Sequence, residues 1–466
     1  MTPEDWRDRL VVDLHRRQRD IERFDAYYRG DHPLEFATRE FLEAFGGLFG
    51  AFADNWCETV VNAVNERLKI TGFRVGQSAD TAAWDIWKRN RMLTESSIAH
   101  VETLVCAVSY LLVWPVDGRA RITVEHASQM ITASKVGDRR TVAAAWKTYQ
   151  DDDGSRVGWL YLPGEVRRYR SKSSSAHALV SVLNNPGSWE LDTDNDVDGP
   201  AVVDNPFGDV VPAIPLENRP RLIAQPRSEI ENVIPLQDAV NKEWADLMVA
   251  SEFTADTQRW ILGYEPEIDP ETNQPLNPPD RRKRIWTLEQ NEAGEHPVTI
   301  GQFKPGELTG YTSVIETLVQ HIASQTRTPP HYLNPGADRL SGESIEASES
   351  GLISKVLERQ AIYSEAWADA IRLSFIAEGD AGKAEETIET LWAPPVLRSD
   401  AQKVDAAVKL QQLGVPWGEV MAFLGYEPSA IARMQAQRLI EAQLTAPPAP
   451  ERVAAVAEPA PEAPVA

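Results

Sequence analysis

The apolar positions of this chain switch between a helical period and an alternating one. Over residues 1–30, Leu10, Leu14, Ile21, Phe24 and Tyr28 recur on a three-to-four spacing that predicts one helical face. Arg29-Gly30-Asp31-His32-Pro33 then stops the helix, because glycine frees the backbone and proline cannot continue it. A second helix is expected from Asn55 to Leu68, with Val60, Val61, Val64 and Leu68 as its stripe and Gly72 as its end. Trp84, Trp87 and Ile98 continue this α-rich section. From Leu104 the runs shorten: Leu111-Leu112-Val113-Trp114, Ile122-Thr123-Val124, Val142 to Trp146 and Val157 to Tyr161 are separated by glycine, aspartate and charged residues. That pattern predicts an antiparallel sheet with turns at Asp117-Gly118 and Asp153-Gly154. The β-rich region runs to about Arg221.

Helical periodicity then returns in three long segments. The first starts at Pro235, a good first helical residue, after a Ser228-x-x-Glu231 capping pattern, and carries Leu236, Val240, Trp244, Leu247 and Met248. The second places Leu308, Tyr311, Ile315, Leu318 and Ile322 at the heptad spacing of a helix packed along a neighbour. The third runs from about Gly342 to Phe375 with Ile345, Leu352, Val356, Tyr363, Trp367 and Ile371. At ~1.5 Å per residue it spans roughly 50 Å, with Gly351 as a candidate kink. Between the first two lies a proline- and charge-rich insert, roughly Thr254 to Lys304, so a helical hairpin with a knob at its end is expected. A last helical region, Ser399 to Leu444, turns at Leu413-Gly414-Val415-Pro416, and residues 446–466 read as a disordered tail of Ala, Pro, Glu and Val.

Composition narrows the function. With 466 residues and 42% hydrophobic residues, the chain is long enough for at least one large core. Seventy acidic against 47 basic residues give a formal charge of −23, which argues against a protein that grips nucleic acid by neutralising phosphates. Cys57 and Cys106 cannot form a disulfide framework. The charged start, Met1-Thr2-Pro3-Glu4-Asp5-Trp6, does not read as a signal peptide, and the longest apolar run, Leu104 to Trp114, is too short for the ~20 residues of a membrane span.

Catalytic signatures fail on inspection. Gly336 to Ser344 imitates a phosphate loop, but five residues separate its glycines and Glu343 stands where a lysine is needed. Asp194-x-Asp196-x-Asp198-Gly199 starts like a calcium loop, yet the twelfth position holds Asn205 instead of a bidentate glutamate, so a solvated acidic turn is expected. The eight histidines form no HExxH and no His/Cys cluster at metal spacing; His321 and His331 flank a loop. The densest basic run, Arg281-Arg282-Lys283-Arg284, lies inside the proline-rich insert.

Taken in order, several pieces resemble the portal (head–tail connector) proteins of tailed bacteriophages, over roughly residues 20–425. They are Tyr27-Tyr28-Arg29-Gly30-Asp31-His32, Asn55 to Gly72, Val108 to Val113, Val211 to Pro220, and Ile234-Pro235-Leu236-Gln237-Asp238-Ala239-Val240-Asn241-Lys242. Ser324 to Leu333 with Ser341-Gly342-Glu343-Ser344-Ile345, and Trp392-Ala393-Pro394-Pro395 with Arg398-Ser399-Asp400, complete the set. The resemblance implies an α+β, mainly α, protomer: a mixed wing over 1–230 and stem helices over 235–253 and 306–327, with a clip over 254–305 between them. A tunnel loop over 328–344, a long kinked helix and return over 345–394, and a helical crown over 395–445 follow.

It further implies a ring of about twelve subunits at one capsid vertex, a closed assembly, through which double-stranded DNA passes without sequence specificity. Expected partners are the large terminase subunit, neck or adaptor proteins, and the major capsid and scaffold proteins, in the virion and, during assembly, the host cytoplasm. His331, Tyr332, Asn334, Arg339 and Ser341 are the expected DNA-facing residues, and Arg281, Arg282, Lys283 and Arg284 the expected docking patch of the clip. No catalytic residue, cofactor, metal or membrane is expected. The competing readings are a cytosolic scaffold or adaptor, and a hydrolase built on an unrecognised carboxylate pair.

Overall fold

A computed structural model describes residues 1–39, 43, 54–152, 154–171, 186–193, 199–255, 259–262, 268, 270, 299–302, 307–333, 342–396 and 400–445. Helices and strands are mixed along the chain. The opening helix, Pro3–Arg29, begins where Thr2 and Asp5 cap each other reciprocally and ends at Gly30, whose φ of 84° only glycine adopts cheaply. Asn55 caps the helix Trp56–Asn65, which buries Cys57, Val60, Val61, Ala63 and Val64.

Gly72 does not end that helix, as the sequence suggested. It lies in a strand, Ile70–Val75, paired antiparallel with Ile388–Trp392 so that Ile70 faces Trp392 and Val75 faces Ile388. This pairing fastens the chain just after Trp56–Asn65 to the return from the helix that ends at Ala377. Sequence periodicity missed it because Thr71-Gly72 interrupts the alternation and the partner strand lies some three hundred residues away. Two further helices, Thr81–Arg89 and Met92–Cys106, precede the β-rich region.

That region forms two antiparallel sheets. In the smaller, Val108–Val116 is central, flanked by Arg119–Glu125 and by Ala213–Glu217. Its hairpin turn is Asp117-Gly118, with φ of 52° and 72°, the left-handed pair that a two-residue loop requires. The larger sheet runs Val202–Asp204, Glu165–Ser171, Arg156–Tyr161, Asp138–Gln150, Met130–Lys135, and Trp189–Leu191 also pairs with Glu165–Ser171. The first half of the opening helix seals this sheet with Leu10, Val11 and Leu14 over Trp146, Leu160, Tyr169 and Trp189. Gly158 is required there: a Cβ would run into the Trp146 ring.

The three long helices stand where the periodicity placed them, at Ile234–Ala255, Thr309–Thr326 and Gly342–Ala377. The first two pack side by side, and the described part of the insert between them is a two-stranded ribbon, Arg259–Leu262 with Thr299–Gln302. The Ser228 pattern is not a helix cap: Ser228 Oγ accepts from Ile230 N at 3.2 Å, Glu231 pairs with Arg227 at 2.7 Å, and the helix starts only at Ile234. The third helix is helical throughout, and Gly351 serves a close approach, since a Cβ there would stand 3.4 Å from Arg327 Cβ. Asp400–Gln412, Trp417–Phe423 and Pro428–Thr445 close the described chain, with Gly414 at φ 86° in the expected turn.

Leu352, Val356, Tyr363, Trp367, Ile371 and Phe375 of the third helix are buried in the main core. There Trp367 meets Trp87 edge to face at 5.0 Å and donates its indole N–H to His100 Nε2 at 3.0 Å. Burial pushes His100 down from its ordinary 6.5 to about 3, so the ring stays neutral in the folded chain. Below about pH 6.5 the unfolded chain gains a proton that the folded one refuses, and stability falls as pH falls through that window toward 3. We predict that His100→Gln flattens the loss of urea stability between pH 6.5 and 4 by about 1.4 kcal/mol per pH unit. An unchanged slope in urea titrations at stepped pH would refute the assignment.

Candidate functional site: the base of the interhelical loop

The second and third long helices are joined through residues 327–341, and the described base of that connection is built on buried charge. The second helix ends at Arg327, held at φ 55° with its backbone N–H bonded to Ala323 O and Ser324 O. Thr326 Oγ1 donates to Ile322 O at 2.7 Å and stands 2.9 Å from Thr328 Oγ1, whose hydroxyl can donate to it, closing the turn. A short helix, Pro330–Leu333, follows and buries Leu333.

Two groups of ionised side chains lock this turn to its surroundings. Glu229 accepts from Lys355 Nζ at 2.7 Å and from Arg359 Nη2 at 3.1 Å, and all three side chains are almost fully buried. Lys355 also donates to Thr326 O at 2.7 Å, so the end of one helix and the flank of the next share one ammonium. Burial would raise Glu229, but the charges of Lys355 and Arg359 win and hold it at about 2, below its ordinary 4.5. Burial acts the other way on Lys355 and lowers it, against the pull of Glu229.

The second group centres on Arg67, whose side chain is 1% exposed. It donates to Glu349 Oε1 at 3.1 Å, to the Tyr332 hydroxyl at 3.0 Å and to Pro395 O at 3.1 Å. Burial opposes its charge, yet the hydrogen bonds it gives to Glu349 and Tyr332 leave Arg67 above its ordinary value. His331 Nε2 stands 3.8 Å from the same Glu349 carboxylate. Gln360 donates to Arg67 O and Ala393 O at 3.3 and 3.2 Å. One guanidinium thus links the turn after Trp56–Asn65, the loop base, the third long helix and the segment that follows the return strand.

Of the residues singled out in the sequence, His331 and Tyr332 sit at this base, half-buried, with the Tyr332 hydroxyl committed to Arg67. Asn334, Arg339 and Ser341 lie outside the described residues, as do Arg281, Arg282, Lys283 and Arg284, and Asp194, Asp196 and Asp198. Asn205, at the last position of the calcium-like pattern, turns inward: its Nδ2 donates to Leu162 O and Val210 O, both at 2.9 Å, and its Oδ1 accepts from Phe207 N. It is a structural side chain. His321 lies on the exposed face of the second long helix, within that helix instead of beside a loop.

Sequence reasoning did not find Arg67, Glu229, Glu349, Lys355 or Arg359. Lys355 and Arg359 are four residues apart on a helix, a spacing that ordinarily marks a solvated face. Glu229 lies far from them along the chain. A pair of cations flanking the buried Val356 was the only local signal.

Residues 52–418 match the family model described as phage portal protein, SPP1 Gp6-like. The chain is 29% identical over 390 residues to the portal protein of Mycobacterium phage D29, covering 78% of this chain and 74% of that one. It is 28% identical over 392 residues to the portal protein of Mycobacterium phage L5, with the same shares. Among solved structures it is similar to a chain from the neck of the native GTA particle computed with C12 symmetry, at 12% identity and a TM-score of 0.44 over 86% of this chain and 96% of that one. A chain from the neck of the empty GTA particle computed with C6 symmetry gives 13% identity and a TM-score of 0.46 over 84% and 95%. The family match covers most of the sequence: the chain belongs to the phage portal proteins of the SPP1 Gp6-like family, and its role is that of a bacteriophage head–tail connector.

The clamp makes a quantitative prediction. Glu349→Gln leaves the Arg67 charge buried without its carboxylate and is expected to cost about 3 kcal/mol, whereas Tyr332→Phe, which removes one hydroxyl acceptor, costs about 1 kcal/mol. Urea unfolding of both variants beside the parent checks this; equal losses, or a loss below about 0.5 kcal/mol for Glu349→Gln, would contradict a charged clamp.

Proposed function

We propose that about twelve copies of this chain close into a ring at one capsid vertex, and that double-stranded DNA is packaged and ejected through its bore. The observation that carries the ring is apolar side chains left in solvent by a single copy. Ile223 and Leu222 are 102% and 84% exposed, Val404, Val408, Leu439 and Ile440 stand exposed on the C-terminal helices, and Leu413 stands exposed in the turn after Gln412. In this reading the exposed side chains are covered where one copy meets the next around the ring. The charge of −23 suits a conduit: an acidic wall repels the phosphate backbone, while a basic one would hold it through counterion release.

In this reading residues 1–230 form the wing, 235–253 and 306–327 the stem, 254–305 the clip and 395–445 the crown. Residues 328–344 project into the bore from the clamped base, with His331, Tyr332, Asn334, Arg339 and Ser341 toward the duplex and Arg339 touching phosphate. Arg281, Arg282, Lys283 and Arg284 dock first the large terminase subunit and then the neck proteins, with capsid and scaffold proteins around the rim. The protein is then a structural component of the virion with no turnover of its own. The hydrolase and adaptor readings gain no specific observation among the described residues.

Purified protein should give rings in negative-stain images. Deleting residues 336–342 should leave those rings intact and cut in-vitro DNA packaging or retention at least tenfold, and reversing Arg281 to Arg284 to glutamate should weaken terminase binding without dispersing the ring. Lone chains under every condition would sink the ring; normal packaging by the deletion would sink the loop's role, and unchanged terminase binding would sink the clip patch.

A further inference from the structure

The sequence separates Glu102, Cys106 and His126, yet the fold brings their donor atoms to one point. Glu102 and Cys106 lie one helical turn apart near the end of Met92–Cys106, so both side chains share a face. His126 follows directly on the strand Arg119–Glu125, which the hairpin with Val108–Val116 lays beside that helix end. Glu102 Oε2 is 3.1 Å from His126 Nε2, Cys106 Sγ is 3.5 Å from His126 Nε2, and Cys106 Sγ is 4.0 Å from Glu102 Oε2.

Those separations are close to the edges of a metal tetrahedron. With a thiolate at about 2.3 Å and imidazole nitrogen and carboxylate oxygen at about 2.0–2.1 Å from a zinc ion, neighbouring ligands stand about 3.3–3.6 Å apart. The observed triangle needs only a few tenths of an ångström of adjustment. Thiolate, imidazole and carboxylate together suit a borderline-soft divalent ion with tetrahedral preference. One thiolate and one carboxylate against a doubly charged ion also make the site neutral. Cys106 is buried, but Glu102 and His126 keep about 30% side-chain exposure, which leaves an entry path and a fourth position for water.

We propose that Glu102, Cys106 and His126 bind a zinc ion, with Cys106 as thiolate and solvent in the fourth position. The ion would staple the end of one helix to the turn after the neighbouring strand. The outer shell is present: Ser128 Oγ stands 2.7 Å from His126 Nδ1 and can accept a hydrogen bond from its N–H once Nε2 is committed to the metal. The Ser128 backbone N–H, 3.1 Å from Nδ1, favours the opposite tautomer in the metal-free chain, so loading includes a tautomer shift as well as release of the thiol proton to solvent. Burial and the nearby carboxylates of Glu102 and Asp25 hold the Cys106 thiol protonated against the pull of Arg17. Arg17 itself is occupied by Tyr110, Ala127 O and Met130 O and leaves the triangle clear.

The test uses the full chain, stripped with a chelator and titrated with Co2+ and then Zn2+. Wild-type protein should develop a thiolate-to-cobalt charge-transfer band with tetrahedral d–d bands, saturating at one equivalent and bleached by Zn2+. Cys106→Ser should lose the charge-transfer band, Cys57→Ser should keep it, and His126→Gln should weaken Zn2+ binding at least about tenfold. A wild-type spectrum without a thiolate band overturns the proposal whether or not Cys106→Ser folds, and so does a band that survives Cys106→Ser.

Discussion

A long helix can carry three ionised groups into a protein interior only where every charge finds its partner there. Glu349, Lys355 and Arg359 enter on one helix, and Arg67 and Glu229 answer them from two distant parts of the chain. Taking such charges out of water costs several kcal/mol per ion, so the groups tolerate only an arrangement in which each lies against an opposite charge, with Lys355 and Arg359 sharing Glu229. That requirement fixes the helix axially and rotationally in a way that Leu352, Val356 and Tyr363 do not, because apolar contacts are non-directional. It also determines where the preceding turn sits, since Lys355 takes the Thr326 carbonyl and Arg67 takes the Tyr332 hydroxyl.

The consequence for a head–tail connector is mechanical. In the proposed bore, force on the connection between these two helices is carried by its root, so that root must be anchored. Here the root is anchored through Arg67 to the turn that follows Trp56–Asn65 and, through the pairing of Ile70–Val75 with Ile388–Trp392, to the return from the long helix. Thr326, Thr328 and the left-handed Arg327 tighten the turn between the two helices, and Gly351 lets the long helix approach that turn closely.

Much of the helical framework was legible because its stripes are local. The heptad of Leu308 to Ile322 and the stripe of Leu352 to Ile371 each contain their own evidence, and Asp117-Gly118 announces its turn through the one backbone geometry that suits it. The strand at Ile70–Val75 was not legible, since a glycine stands where the alternation should continue and its partner is fixed only by the finished fold. The clamp was hidden for the same reason. Lys355 and Arg359 look like a solvated face until Glu229 arrives from elsewhere, and Glu102, Cys106 and His126 look unrelated until a hairpin folds back on a helix end. The order of weak motifs along the chain, from Tyr27-Tyr28-Arg29-Gly30 to Trp392-Ala393-Pro394-Pro395, identified the family that the family model supports.

The measurement that bears most directly on this account is a double-mutant cycle of Glu229→Gln and Lys355→Met, read by urea unfolding at neutral pH. A matched buried pair predicts that the two losses fall short of additivity by about 2 kcal/mol or more, since the second substitution removes a charge that the first left stranded. Losses that add to within about 0.5 kcal/mol would show that the two groups do not depend on each other, and the charged clamp would no longer explain how the helix and its loop are held.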